Sequence, residues 1–134
     1  MNENGLAPFA NEKYINLTTF RKSDKAVPTA VWFVIQNGRL YVHTGSQTGK
    51  AKRLRANGRA QVSVSDARGN PKGEFIPADG RQVEDAERIA AAEAAFCQKY
   101  GLQYLVLELL TPFRRGRIGD SVIFELELKP NAPE

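Results

Sequence analysis

Cysteine and histidine are almost absent, with one of each among 134 residues. A single cysteine cannot form an internal disulfide, and zinc sites rich in cysteine need several thiolates. A single histidine leaves His-rich metal sites and histidine-dependent triads short of parts. We therefore expect no metal site. His43 is predicted to pack within the fold or at an interface, and Cys97 to be a small buried hydrophobe on the apolar side of a helix.

Long apolar runs are also missing. No segment approaches the roughly 20 apolar residues of a membrane span, and the polar amino terminus does not resemble a signal peptide. We expect a cytoplasmic protein with no membrane partner. Its length fits one domain over residues 1–134, with a core at about 12–129 and flexible tails at 1–11 and 130–134.

Acidic residues are absent from one short segment. The chain has 19 basic and 15 acidic residues, a net charge of +4. Between Lys50 and Arg59, however, there are five basic residues and no acidic one. Such a run suits a multiply charged anion, a nucleic acid or a solvated surface. The run contains no aromatic residue on which a base could stack, so nucleic acid is the least favoured of the three.

The patterns that are present are mainly those of β-strands. Alternating apolar and β-branched residues predict six strands, and Asn37-Gly38 predicts a hairpin turn. Asp79-Gly80 is expected to interrupt the fifth strand. The predicted strands are Tyr14–Phe20, Pro28–Ile35, Leu40–Thr44, Gln61–Ser65, Gly73–Val83 and Ser121–Lys129.

Two segments have helical spacing instead. A short helix is predicted over Lys50–Asn57, ended by Gly58, and an amphipathic helix over Asp85–Tyr100. The run Leu102–Arg117 fits either a strand or a helix, and we favour a helix that ends near Pro112. Six strands with an inserted helix predict a mainly β protein, a small antiparallel barrel.

The loop before the short helix is the best candidate for a binding site. It resembles a P-loop only superficially, because it has too few residues between its glycines and no Ser or Thr after Lys50. It nevertheless brings the hydroxyls of Thr44, Ser46 and Thr48 to a helix N-terminus, where amide groups and the helix dipole favour an anion. Lys50 and Arg53 lie on one face of that helix. A phosphate could bind there, although a solvated loop and a basic surface helix explain the same residues equally well.

A resemblance to a known family favours the phosphate. The ordered segments TTF, VPTAVWF, LYVHT and TGKAKRLRANGR, within Tyr14–Tyr100, resemble the pyridoxamine-phosphate-oxidase-like flavin and deazaflavin oxidoreductases. The resemblance implies a six-stranded antiparallel split β-barrel of the FMN-binding type. It also implies a homodimer whose cofactor clefts lie at the subunit interface.

The resemblance implies two parts of the cofactor site. Hydroxyls and basic residues of the loop and helix would hold the phosphate, with Lys52 beside them, and the second strand would lie along the ring, with Trp32 as an aromatic neighbour of the ring or substrate. The predicted cofactor-binding residues are Pro28, Thr29, Val31, Trp32, Thr44, Ser46, Thr48, Gly49, Lys50 and Arg53.

Two departures from the family argue against vitamin B6 oxidation. The oxidases have an arginine directly before the phosphate lysine, where this chain has Gly49, and the carboxy-terminal residues that bind pyridoxal phosphate have no match. The expected function is therefore hydride transfer between a cofactor and a small organic substrate, with no catalytic side chain identified. The cofactor is a deazaflavin coenzyme or FMN, and subfamily resemblance favours the deazaflavin. The alternatives are a non-catalytic flavin or haem carrier and, less favoured, a nucleic-acid-binding barrel.

Overall fold

The computed structural model describes residues 6–101 and 121–129. Within them, antiparallel strands form one sheet and two α-helices pack against it. The strands are β1 (Tyr14–Phe20), β2 (Ala26–Val31), β3 (Phe33–Gln36), β4 (Arg39–Gly45), β5 (Arg59–Ser65), β6 (Ile76–Gln82) and β7 (Ser121–Leu128). The helices are α1 (Gly49–Asn57) and α2 (Ala86–Tyr100), and a single 3-10 turn covers Ala7–Phe9.

The order of the strands curls the sheet into a split barrel. The order is β2-β1-β5-β6-β7-β4-β3, so β2 and β3 lie at its two ends. These two strands are joined by one residue, Trp32, which brings the two ends of the sheet together. The prediction of a mainly β, antiparallel split barrel is confirmed. The predicted strand Pro28–Ile35 is divided at Trp32, because its halves pair with different neighbours, and the sheet has seven strands instead of six.

The wall of the barrel opens beside this division. The pairing of β2 with β1 ends at Val31, which lies opposite Ile15. The pairing of β3 with β4 begins two residues later, at Phe33, which lies opposite Val42. The last residues of β4, Thr44 and Gly45, are therefore paired with β7 and with neither β2 nor β3. The split lies between β2 and the end of β4, where the chain leaves the sheet for α1.

Each face of the sheet buries its own cluster of apolar side chains. The inner face contributes alternate residues such as Ile15 and Leu17, and α1 adds Ala51 and Leu54 to the same core. The outer face is covered by α2, whose buried residues are Ala92, Phe96 and Tyr100. Alternation along the strands thus separates an interior that α1 helps to fill from an exterior that α2 covers.

The predicted interruption at Asp79-Gly80 is wrong. Strand β6 runs through both residues, and Gly80 pairs with Leu126. A Cβ atom at Gly80 would lie 2.9 Å from Cδ2 of Leu54 in α1. The glycine is therefore explained by the close approach of α1 to the strand, a role that glycine also has in strands.

The helices predicted over Lys50–Asn57 and Asp85–Tyr100 are both present, but the predicted burial of Cys97 is wrong. Gly58 ends α1 in the left-handed conformation, with φ of 73°, and its N–H donates to the carbonyl of Leu54. The buried stripe of α2 runs from Ala92 through Phe96 to Tyr100. Cys97 is exposed, not buried, because one helical step of about 100° from Phe96 carries it off that stripe.

The amino-terminal residues that the structure describes contribute to the core. Leu6 packs against the inner core and Phe9 is only 1% exposed, its ring edge-on to Phe33. Order therefore begins before residue 12, because these two apolar side chains are buried at the barrel. The predicted tail at 130–134 and the ambiguous run Leu102–Arg117 lie outside the described residues.

Replacing Gly58 by alanine is expected to destabilise the protein by about 1–2 kcal/mol, the cost of a Cβ atom in the left-handed region. The added atom would also lie 3.2 Å from the carbonyl oxygen of Gly80. Urea unfolding of Gly58→Ala and of the control Gly73→Ala measures the difference. A Cβ at Gly73 has no neighbour within 4 Å, so equal losses in the two variants would contradict this account.

Candidate functional site

The loop that joins β4 to α1 is organised by Thr48. Its side chain accepts a hydrogen bond from the N–H of Ala51 at 3.3 Å and so caps the helix. The same hydroxyl donates to the carbonyl of Gly45 at 3.0 Å and lies 3.2 Å from the hydroxyl of Thr44. Two of the predicted phosphate ligands are therefore adjacent, beside the split and at a helix N-terminus.

Two basic side chains of α1 lie at the same end of the helix. Lys50 is half-buried in the first turn. The Nε of Arg53 donates to the hydroxyl of Thr19 at 2.6 Å, which ties the helix to β1. A Cβ atom at Gly49 would lie 2.7 Å from Nη1 of Arg53. Gly49 therefore leaves room for the guanidinium to lie across the start of the helix.

The electrostatics of this site favour an anion. Burial, together with the positive charge of Arg53, lowers the pKa of Lys50. Burial and the charge of Arg21 similarly lower the pKa of Arg53. The first turn of α1 contains no acidic residue, although a helix N-terminus normally favours negative charge. Lys50 lies at the positive end of the helix dipole and is repelled by Arg53, whose guanidinium reaches Gly49, so a bound anion would relieve the repulsion.

The donors present match a phosphate group. Among the residues that the structure describes, the amide groups of Gly49 and Lys50 have no acceptor. Amides of a first helical turn, hydroxyls and cations are the donors that proteins use for phosphate. The amides of Gly49 and Lys50, the cationic side chains of Lys50 and Arg53, and the hydroxyl of Thr44 are these three kinds of group at one place, and Thr48 holds the loop by donating to Gly45. The predicted residues therefore fit the phosphate end of a nucleotide-like cofactor.

The other predicted residues lie in β2, at Trp32 and in the loop itself. In β2, Val31 is buried in the inner core, and alternation puts Thr29 on the same inner face. Pro28 and Trp32 alternate onto the outer face, where the Trp32 ring stacks on Tyr100 at 4.3 Å. Ser46 is half-buried in the loop. The role of each of these residues in cofactor binding stays a prediction.

Three residues of this region were missed by the sequence analysis. Thr19 receives Arg53, Arg21 adds positive charge, and Arg55 donates to the carbonyl of Ser46 at 2.6 Å, which braces the loop. Only Thr19 had a detectable signal. It follows Ile15 and Leu17 at inward-facing positions of β1, where a polar residue is unusual and needs a partner.

The basic run from Lys50 to Arg59 is not one continuous solvated stripe. Its arginines bind different parts of the chain: Arg53 binds β1, Arg55 the loop before α1, and Arg59 pairs with Asp24 at 2.6 Å. Lys52 is exposed. Two arginines of the run, Arg53 and Arg55, therefore tie α1 to the barrel and to its own loop.

The fold identifies the class of protein as a split β-barrel, with a helix that begins beside the split. A model of the pyridoxamine 5'-phosphate oxidase family matches residues 1–129. The chain therefore belongs to this family, a flavin-binding one, and the resemblance seen in the sequence is confirmed. No curated protein matches the chain.

Solved structures of several proteins share the fold. HutZ, the haem storage protein of Vibrio cholerae, has 18% identity and a TM-score of 0.67, over 96% of this chain and 92% of its own. A FAD-binding protein of Mesorhizobium loti has 12% identity and a TM-score of 0.60, over 90% and 82%. A haem-binding protein of Mycobacterium smegmatis has 16% identity and a TM-score of 0.61, and the match covers 90% of this chain but only 48% of that protein. At such low identities the similarity establishes the fold alone.

The described residues, 6–101 and 121–129, contain neither a candidate membrane span nor a candidate metal site. No helix there is both long and apolar enough to cross a membrane. No group of three or more His, Cys, Asp or Glu side chains there could hold a metal ion.

Proposed function

We propose that this protein is an oxidoreductase that binds FMN or a deazaflavin coenzyme by its phosphate at the N-terminus of α1. The observation that carries the proposal is the set of Arg21, Lys50 and Arg53. Beyond the effect of burial, the charge of Arg53 helps to lower the pKa of Lys50, and the charge of Arg21 helps to lower that of Arg53. The first turn of the helix contains no acidic residue to offset these charges. Such an arrangement is costly unless an anion binds it.

Each residue of the cluster has a distinct part in holding the phosphate. Lys50 supplies a charged donor and the hydroxyl of Thr44 a neutral one, while Thr48, which donates to the carbonyl of Gly45 and caps the helix, shapes the loop around them. Thr19 orients the guanidinium of Arg53 through its Nε, which leaves both Nη groups for the ligand. Because the cluster lies at the split, a phosphate held there would direct the rest of the cofactor along the opening between β2 and β4.

The ring end of the cofactor is proposed to lie against β2. Thr29 and the backbone around it line the β2 side of the split, opposite the end of β4. A flavin or deazaflavin supplies the hydride chemistry itself, and the protein contributes binding, orientation and electrostatics. We further propose a cytoplasmic homodimer in which both subunits line each cleft, and a small organic molecule as hydride donor or acceptor. Light scattering of the purified protein tests the dimer.

Titration of the cofactor-stripped protein with FMN and, separately, with the deazaflavin tests the proposal. Fluorescence is expected to show tight binding of one of them, and subfamily resemblance favours the deazaflavin. The reduced form of that cofactor would then be used in a substrate screen. Binding of neither would refute the proposal.

A parallel titration with haem tests the carrier alternative. The only histidine of the sequence, His43, lies on the outer side of β4 with its ring 5.8 Å from that of Phe96. It is therefore remote from the inner face of the split, which argues against histidine ligation of a haem there. Tight haem binding without flavin binding would favour a carrier over an enzyme.

A further inference from the structure

The backbone of Phe33, where the strand changes partner, is held by side chains of α2. The register of β1 with β2 ends at Ile15 opposite Val31. Continued by two residues, that register would place Phe33 opposite Lys13. The hydroxyl of Tyr100 occupies this position instead. It accepts from the N–H of Phe33 at 2.9 Å and lies 2.9 Å from the carbonyl oxygen of Lys13.

The proton of the Tyr100 hydroxyl can be assigned from its neighbours. The carbonyl of Phe33 lies 2.8 Å from this hydroxyl but already accepts from Nζ of Lys99, also at 2.8 Å. Burial lowers the pKa of Lys99 to about 8, so this side chain remains mostly protonated at neutral pH. Burial also raises the pKa of Tyr100 to about 12, so its hydroxyl keeps its proton. If the Tyr100 hydroxyl donates to the carbonyl of Lys13, then that carbonyl, the N–H and the carbonyl of Phe33, and the hydroxyl itself each have a hydrogen-bond partner.

The hydroxyl therefore acts as an inserted step of the β-ladder. In an ordinary ladder the N–H of one strand reaches the carbonyl of the next directly. Here two successive hydrogen bonds, from Phe33 to Tyr100 and from Tyr100 to Lys13, span the same gap. The two strands are consequently wider apart at this point than in a regular sheet, and the chain beyond Trp32 is released from β1 to pair with β4.

Ring contacts reinforce the same junction from outside the barrel. The Trp32 ring is stacked on that of Tyr100, with an interplanar angle of 5°. Nζ of Lys99 lies 3.5 Å above the ring centre of Phe33, a cation–π contact. The last turn of α2 therefore grips both residues at the change of partner, Trp32 and Phe33.

We propose that Tyr100 is a positioning residue for the cofactor cleft. Its hydroxyl fixes the residue at which the strand leaves β1 for β4, and so sets the distance between Thr29 on β2 and Thr44 at the end of β4. This inference rests on the proposed function, since it assigns those two strands to the walls of the cleft. Tyr100 packs with α2 against the outer face of the sheet and acts through the strand.

Tyr100→Phe tests the proposal, because it keeps the stacked ring and removes only the hydroxyl. Without its acceptor, the amide of Phe33 should exchange its hydrogen roughly tenfold faster, as expected for a locally opened group. The dissociation constant of the bound flavin should rise about fivefold, because the loss of about one hydrogen bond at Phe33 changes the spacing of β2 and β4. Both quantities can be measured on the full chain, by NMR exchange and by fluorescence titration.

Ala92→Gly provides the control for simple loss of stability. Ala92 is fully buried in the same helix but belongs to its middle, away from the strand junction. This variant should lower the melting temperature while the flavin affinity stays within about twofold of the unmodified protein. If Tyr100→Phe weakened binding no more than Ala92→Gly does, Tyr100 would be a stabilising residue only and the proposal would be overturned.

Two further outcomes separate this proposal from the proposed function. Unchanged exchange of the Phe33 amide in Tyr100→Phe would overturn the inserted ladder step directly. An unmodified protein that binds neither flavin would refute the proposed function, and with it the positioning role. The exchange of the Phe33 amide would still decide whether the hydroxyl holds the strand junction.

Discussion

Lys50→Ala is expected to weaken binding of the flavin phosphate by about 1.5–3 kcal/mol, roughly 10- to 150-fold in the dissociation constant, because it removes a hydrogen bond between charged groups. Lys50 is half-buried, and burial and Arg53 both lower its pKa. A bound dianion would offset both effects. Fluorescence titration of the purified variant with the preferred cofactor gives the measurement.

Lys52→Ala is the matched control for this prediction. Lys52 lies two residues further along the same helix and has the same charge, but it is exposed. Its removal should change the affinity less than about threefold, since an exposed charge near a binding site is largely screened. Equal losses from the two variants would show that the helix contributes only a general positive potential. An unchanged affinity in Lys50→Ala would remove the phosphate site from the start of α1.

Arg88→Met is expected to have the largest effect on stability, about 2–3 kcal/mol. Arg88 pairs with Glu125, which is only 5% exposed, and donates to the hydroxyl of Tyr41 at 3.0 Å. The Arg88 side chain is 39% exposed, but Glu125 is buried, and removing its nearer cation leaves that carboxylate insufficiently compensated. The methionine retains most of the apolar stem that packs between α2 and the sheet. The free energy of unfolding in urea measures the loss.

Arg81→Met removes the second partner of the same carboxylate and serves as the comparison. Arg81 lies 3.7 Å from Glu125, but its side chain is 65% exposed. Exposed ion pairs contribute at most about 1 kcal/mol, so this variant should be nearly as stable as the unmodified protein. A larger loss from Arg81→Met than from Arg88→Met would mean that α2 is not anchored through Glu125.

The candidate site shows where sequence reasoning succeeds and where it stops. Thr44, Thr48 and Lys50 lie in one continuous segment, and local rules for capping and helix dipoles suffice to place them together. Thr19 is 34 residues from Arg53, and no local rule connects them. Only the pairing of β1 with β5, next to α1, brings that hydroxyl to the guanidinium.

The prediction for the segment from Pro28 to Ile35 failed for a related reason. Its composition is that of one uninterrupted strand, and nothing in it indicates a division. The division at Trp32 arises because the barrel must close, so that one half of the segment pairs with β1 and the other with β4. A change of partner is a property of the neighbouring strands and of Tyr100, which lies 67 residues from Phe33.

The sequence by itself determined the local structure of this protein: its alternating strands, its two helices with their ends, and the loop of hydroxyls and cations at the start of α1. These features depend on residues only a few positions apart, for which periodicity and capping are sufficient signals. The tertiary structure alone decided where the barrel splits and that Gly80 admits α1. Those outcomes depend on contacts between residues distant in the chain, whose energies come from packing and pairing and leave no pattern in a single segment.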